Sequence, residues 1–412
     1  MMKRKVLIAI ADGVGDLPIS ELGGLTPLEY AKTPTLDKLA AQGSSGIMDL
    51  VKAGVPVGTD MGHLMLFGYK TTDYPGRGPI EAAGIGLELF KGDVAFRCNF
   101  ATIDEKGEVL DRRAGRIRDN TREIAQAING LEVQGVKVIF KEATEHRAVL
   151  ILRGENLSDN ITDTDPRLPD RGLSYKLSVP LDDSVAAKRT ADILNKVLEE
   201  FHKILENHPV NVERKKENKF PANFILTRGA GQVPDIDKIT KRLGFKGACV
   251  ASESTVLGVA NLAGYDLIVQ EGMTGNLDTD VRLKADLAIK ALETNDIVFV
   301  HLKATDLMGH DNNPKGKVVA IEKFEEMLTY IVDNRSDNTM IALAADHSTP
   351  CERKEHSGDP VPILLNGPSI RLDRNDKYNE IDCAYGGIGR ITGSDFASII
   401  FDYLEVTPKQ GN

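Results

Sequence analysis

Residues 5–12 read KVLIAIAD, six apolar positions in a row, three of them Val or Ile, closed by an aspartate. A run this short and this continuous predicts a strand buried on both faces, as in a parallel sheet. Two later runs repeat the pattern, IVFVHLKA at 297–304 and TMIALAA at 339–345. Each of the three ends at, or within two residues of, an acid: Asp12, Asp306 and Asp346. Helical patterns lie between them, including TPTLDKLAAQG (33–43), TDVRLKADLAIKALE (279–293) and AIEKFEEMLTYIVDN (320–334). Strand alternating with helix predicts an α/β fold, a mostly parallel sheet flanked by helices, whose ligands gather beyond the carboxyl ends of the strands. The three aspartates therefore mark the expected site.

The middle of the chain has another rhythm. DVAFRCNFATIDEKGEVLD and VKVIFKEATEHRAVLILRG read as hairpin strands, and SVAAKRTADILNKVLEEFHKILEN (184–207) as a long amphipathic helix. The βα rhythm resumes near LTRGAGQVPDIDKITKRLGFKGACVAS. At 412 residues the chain exceeds one ordinary core. The expected organisation is one domain from 1–78 and 230–412, interrupted by a smaller inserted α+β domain at 79–229.

A formal charge of −10 argues against a nucleic-acid partner, which would call for clustered Lys and Arg. Cys98, Cys249, Cys351 and Cys383 are widely spaced and form no CxxC pair, so neither a zinc knuckle nor a disulfide framework is indicated and a reducing cytoplasm fits best. The first apolar run, Val6 to Ala11, is too short for a signal peptide, and no segment approaches the ~20 residues that span a bilayer. A cytoplasmic protein acting on a small molecule is expected, with no membrane partner; homo-oligomerisation is left open.

Four pieces carry chemistry: Asp12; Thr59 in PVGTDMGH; Asp306 and His310 in DLMGH; and Asp346, His347 and His356 in ADHSTPCERKEHSGDPVP. Carboxylate and imidazole together suit borderline divalent metals. Three aspartates gathered at strand ends repel one another unless cations join them or some are protonated. Seven ligands exceed one tetrahedral ion and suit two, which can clamp a phosphoryl group during in-line displacement. Thr59 then gains a role: at a helix start, beside a metal, its hydroxyl becomes a nucleophile facing an anion-binding helix end. Singly, each residue has a plainer reading, a threonine cap or an aspartate turn. The ordered set carries the inference.

These residues resemble the alkaline phosphatase superfamily and, more closely, the archaeal-type cofactor-independent phosphoglycerate mutases. The likeness runs through ADGVGD, TPTLDKLA, YPGRGPIEAAG, GDVAFRCNF, DRRAGRI, EHRAVLILRG, HLKATDLMGHD, ADHSTPC, HSGDPVP and GGIGRITGSD. It implies one metal on Asp12, Thr59, Asp346 and His347 and another on Asp306, His310 and His356, with Mn²⁺ the expected ion and Co²⁺, Zn²⁺ or Mg²⁺ as alternatives. It implies interconversion of 3-phosphoglycerate and 2-phosphoglycerate through a phosphothreonine at Thr59, in glycolysis and gluconeogenesis, without bisphosphoglycerate. The insert would close over the substrate, with His146, Arg147, Asp163 and Arg228 as candidate contacts, joined by Arg77, Arg113, Arg116 and Lys303.

Two departures stand out. The family more often has serine where this chain has Thr59, and the bacterial-type mutases lead one to expect a lysine near STVLGVA (254–260), which has none. Lys303 is the candidate replacement. The competing reading is a phosphomonoesterase or phosphonate hydrolase, which would keep the same metal cluster and admit water; a phosphopentomutase is a further alternative. The insert and the GRGPIEA and HSGDPVP blocks favour the mutase.

Overall fold

The computed structural model describes residues 3–167, 173–233 and 238–411. Contacts divide the chain into two units, Met1–Tyr74 with Ile236–Asn412, and Pro75–Asp235. The 234–237 part of the stretch where the βα rhythm resumes lies outside the described residues.

Lys5–Ala11 is the strand its sequence predicts, buried at every position after Lys5, and it lies inside an eight-stranded sheet. In order the strands are Asp266–Ile268, Gly247–Val250, Ile297–Leu302, Lys5–Ala11, Thr339–Ala344, Val361–Asn366, Ser44–Asp49 and Gly389–Thr392. Neighbours pair in parallel except where Val361–Asn366 runs against both its partners. The register sets Ala11 opposite Leu302 and Ile10 opposite Ala344, so the residues that follow, Asp12, Lys303 and Asp346, emerge at one end of the sheet. The mostly parallel α/β expectation holds, and N-terminal and C-terminal segments share one sheet.

The expected helices form at Pro34–Ala41, Val281–Leu292 and Pro314–Asn334. The last begins earlier than its apolar pattern suggested. Asn313 caps it by accepting from Gly316 N, and Pro314 occupies the first turn, where a missing N–H costs nothing. The Thr59–Leu66 helix is fixed to the sheet by ring contacts one turn apart. Phe67 meets Phe299 with ring centroids 4.3 Å apart, and His63 meets His301 at 5.2 Å. Gly62 is required there, because a Cβ would lie 2.2 Å from the Asp346 carbonyl oxygen.

In the second unit every strand pairing is antiparallel. Val94–Ile103 runs between Arg147–Arg153 on one side and Phe224–Gln232 on the other. Side chains alternate along it. Phe96, Cys98 and Phe100 enter the main core with Val197, Leu198 and Phe201 of the Val185–Glu206 helix. Ala95, Arg97 and Asn99 take the other face, where Ala95 packs with Ala82 of the Arg77–Gly84 helix. A bulge interrupts the ladder: Ala95 pairs with Gly231 but Arg97 with Arg228, and Gly229 at φ +63° supplies the left-handed residue.

Candidate active site

The three sequence-predicted aspartates and three histidines converge with Thr59. Asp12, Asp346 and His347 are fully or almost fully buried, and Asp306 nearly so. Thr59 is the first residue of its helix, and its Oγ1 lies 3.3 Å from His347 Nε2. That nitrogen is also 3.4 Å from Asp12 Oδ1 and 3.3 Å from Asp346 Oδ2. The other ring nitrogen, Nδ1, is 3.0 Å from Thr349 Oγ1, whose proton is committed to Asp306 Oδ1 at 2.6 Å. Thr349 therefore accepts from His347 Nδ1–H, and Nε2 offers a lone pair to the site.

His310 and His356 repeat the arrangement. Their Nδ1 atoms each lie 2.8 Å from a carbonyl, of Lys354 and Val57 respectively. Carbonyls only accept, so both Nδ1 atoms carry protons and both Nε2 atoms are bare. These Nε2 atoms face each other at 3.2 Å, and lie 3.4 and 3.5 Å from Asp306 Oδ1. Lone pairs and a carboxylate meeting head-on repel until a proton or a cation sits among them. Asp12 Oδ1 and Asp346 Oδ2, both buried, have no hydrogen-bond partner among the described residues. The donor set thus fits divalent cations. Among the described residues two groupings lie within ligand reach, Asp306 with His310 and His356, and Asp12 with Asp306 and His347, so Asp306 stands between them.

The electrostatics are those of crowded acids. Burial, then the Asp346 charge, push the Asp12 carboxyl up to about 7. Burial also opposes charge on Asp306 and Asp346, but for Asp306 a proton shared with His356, together with Lys303, prevails, and for Asp346 the positive charge of protonated His347 and His63. Both stay below the ordinary carboxylate range. Lys303 Nζ lies 3.1 Å from Asp12 Oδ2 and 2.6 Å from Asp306 Oδ2. Those carboxylates, Asp12 foremost, hold its ammonium above the ordinary lysine value against its burial. Leu257, where a lysine was sought, is a buried apolar side chain.

The second unit gathers opposite charge. Arg97 stands opposite Arg228 in the ladder, and Asn99 opposite Arg147. Arg77 Nε donates to Glu81 Oε1 at 2.8 Å, and Arg97 Nε is 3.8 Å from the same oxygen. Glu81, and Asp165 beside Arg228, are outnumbered by the guanidiniums of Arg77, Arg97, Arg147 and Arg228. Burial and then Arg228 push Arg97 down to about 9, and its Nε, Asn99 Oδ1 and His146 Nδ1 are buried with no hydrogen-bond partner among the described residues. Burial, Arg147 and Arg113 likewise push His146 down to about 4.

Two sequence candidates sit differently. Asp163, expected to meet a substrate hydroxyl, already accepts from Gly229 N and from Arg167, at 2.9 and 2.8 Å. Arg116 is exposed and lines a hollow of about 370 Å³ with Arg118, Arg214 and Lys219. The sequence reading missed Arg97 and Asn99, which the period of two in DVAFRCNF, polar at alternate places, could have flagged. It also missed His63 and His301, which look like core residues of a helix and a strand.

The first unit is an α/β protein with its acids and imidazoles at the carboxyl ends of a mostly parallel sheet. Comparison with known proteins carries this further. Residues 40–211 match the family model for 2,3-bisphosphoglycerate-independent phosphoglycerate mutase. The chain is 46% identical to 2,3-bisphosphoglycerate-independent phosphoglycerate mutase 1 of Methanocaldococcus jannaschii, with 100% of both chains covered. It is also 46% identical to the corresponding mutase of Methanococcus aeolicus, over 99% of this chain and 100% of that one. Among solved structures, a Pyrococcus horikoshii protein gives a TM-score of 0.87 at 38% identity, with 100% of both chains covered. The cofactor-independent phosphoglycerate mutase of Thermoplasma acidophilum gives 0.73 at 34% identity, covering 97% of this chain and 100% of that one. The chain belongs to the 2,3-bisphosphoglycerate-independent phosphoglycerate mutase family.

Proposed function

We propose that this chain interconverts 3-phosphoglycerate and 2-phosphoglycerate without a bisphosphoglycerate primer, using Thr59 as the phosphoryl acceptor. The observation that carries the reading is the convergence of the Thr59 hydroxyl, 3.3 Å from His347 Nε2, with bare imidazole nitrogens and unpartnered carboxylate oxygens. Asp12, Thr59, Asp346 and His347 would hold one divalent ion and Asp306, His310 and His356 a second, with Mn²⁺ the first choice for such mixed ligands. Bound there, the ions would lower the pKa of the Thr59 hydroxyl and offset charge developing on the phosphoryl oxygens.

The chain's own residues do the rest. Thr59 Oγ1 forms a bond to phosphorus as the substrate's 3-oxygen departs with the electron pair and takes up a proton. Glycerate turns, its 2-oxygen attacks the same phosphorus, and Thr59 leaves and recovers a proton. The start of the Thr59–Leu66 helix would offer free backbone N–H groups of its first turn to the phosphate. Lys303, beside Asp12 and Asp306, supplies the positive charge absent near residue 257. Arg97, Arg147, Arg228 and Arg77, with His146 and Asn99, form the anion-holding face suited to the glycerate carboxylate, and guanidinium forks fit it in pairs of hydrogen bonds. A role in glycolysis and gluconeogenesis, in the cytoplasm, follows from this substrate and agrees with four buried free cysteines.

Enolase-coupled turnover of 3-phosphoglycerate, across a metal series and without primer, tests the reading. Formation of 2-phosphoglycerate with negligible free phosphate is expected. Rapid phosphate release without 2-phosphoglycerate would make the chain a phosphomonoesterase instead.

A further inference from the structure

Two imidazoles outside the ligand set, His63 and His301, are completely buried against it. His301 Nε2 lies 2.8 Å from Asp12 Oδ2. A carboxylate oxygen accepts, so Nε2 donates, and Nδ1 has no hydrogen-bond partner among the described residues. Lys303 holds the same Oδ2 at 3.1 Å. The consequence is directional. With Oδ2 engaged twice, Asp12 turns its bare Oδ1 toward His347 Nε2, 3.4 Å away.

His63 makes the matching arrangement through its other nitrogen. Nδ1 donates to the Thr59 carbonyl at 2.9 Å and lies 3.3 Å from Asp346 Oδ2, while Nε2 has no partner among the described residues. It therefore anchors the first residue of the Thr59 helix by one hydrogen bond and sets the same N–H edge against the Asp346 carboxylate as an electrostatic contact. The edge-on contact of the two rings, 5.2 Å between centroids, joins both halves of the support. Groups that orient metal ligands contribute heavily to metal affinity without touching the ion.

We propose that His301 and His63 are positioning residues of the candidate metal centre: His301 presents Asp12 Oδ1, and His63 holds Thr59 and Asp346 in register, so that the centre is shaped before any divalent cation enters. This rests on the cation-dependent reading above. The assignment makes opposite demands on the two nitrogens. An asparagine amide reaches the place of a histidine Nδ1, whereas a glutamine amide reaches the place of Nε2.

Four variants separate positioning from packing: His63→Asn, His63→Gln, His301→Asn and His301→Gln, each freed of metal and titrated with Mn²⁺ by calorimetry. His63→Asn and His301→Gln are expected to keep the affinity within about threefold of the unchanged protein. His63→Gln and His301→Asn are expected to lose about 10- to 100-fold. In enolase-coupled assays the second pair should lower kcat at near-normal KM. Metal-free melting temperatures should not sort the variants into the same pairs. Equal affinities for Asn and Gln at both positions overturn the inference while leaving the mutase reading standing. An unchanged protein that takes up no divalent cation overturns both.

Discussion

The two units present opposite chemical surfaces. At the sheet ends of the first, acids and lone pairs crowd together and Asp12 is driven up to about 7, an arrangement that cations stabilise. On one face of the second, guanidiniums crowd together and Arg97 is driven down to about 9, an arrangement that an anion stabilises. Each is costly to the free protein: cations would relieve the first and an anion the second. Strain of this kind, stored where the ligands belong, separates a binding face from an ordinary surface of paired charges.

The comparison predicts what should break it. Removing divalent ions with a chelator should abolish isomerisation and leave far-ultraviolet circular dichroism largely unchanged, with Mn²⁺ restoring turnover; activity that survives exhaustive chelation contradicts the first surface. Thr59→Ala should lower kcat by at least about 10³-fold, as loss of a covalent nucleophile does, while calorimetry still finds metal uptake. Unchanged turnover would place the nucleophile elsewhere.

Arg97→Met acts on the second surface alone. It should raise the KM for 3-phosphoglycerate by about 10- to 100-fold, the scale of a charge-assisted hydrogen bond, and leave metal affinity unaltered. Because it removes one of several crowded like charges, the ligand-free variant should melt no lower than the unchanged protein. A normal KM removes Arg97 from the site.

The smallest effect concerns pH. The folded value of His146, about 4, lies below its ordinary 6.5, so the folded state binds fewer protons between them. Its contribution to stability is complete above pH 6.5 and is lost as pH falls toward 4. Titration followed by nuclear magnetic resonance should find the imidazole neutral at pH 6, with its midpoint raised when 3-phosphoglycerate binds. A ligand-free midpoint near 6.5 would show that the guanidiniums do not act on it.

The difference between the units also explains what could be read from sequence. Asp12 and Asp346 follow buried strands within two residues and Asp306 lies in the first turn of the Ala304–His310 helix just after a third, so local pattern and parallel topology were enough to bring them together. The arginine face has no such signature. Arg77, Arg97, Arg147 and Arg228 come from a helix and three antiparallel strands, and only the register, with the bulge at Gly229, sets them side by side. The reversed strand Val361–Asn366 was unread because a fully buried run has the same pattern in either direction. His63 and His301 were hidden for a related reason, since an imidazole inside a helix or strand reveals its partner only when the neighbouring element is in place.

The most direct measurement is anomalous diffraction from crystals equilibrated with Mn²⁺. The account predicts two peaks, one among Asp12, Thr59, Asp346 and His347 and one among Asp306, His310 and His356, with the Thr59 hydroxyl coordinated. Clear density for these side chains with no peak beside Thr59 would contradict it.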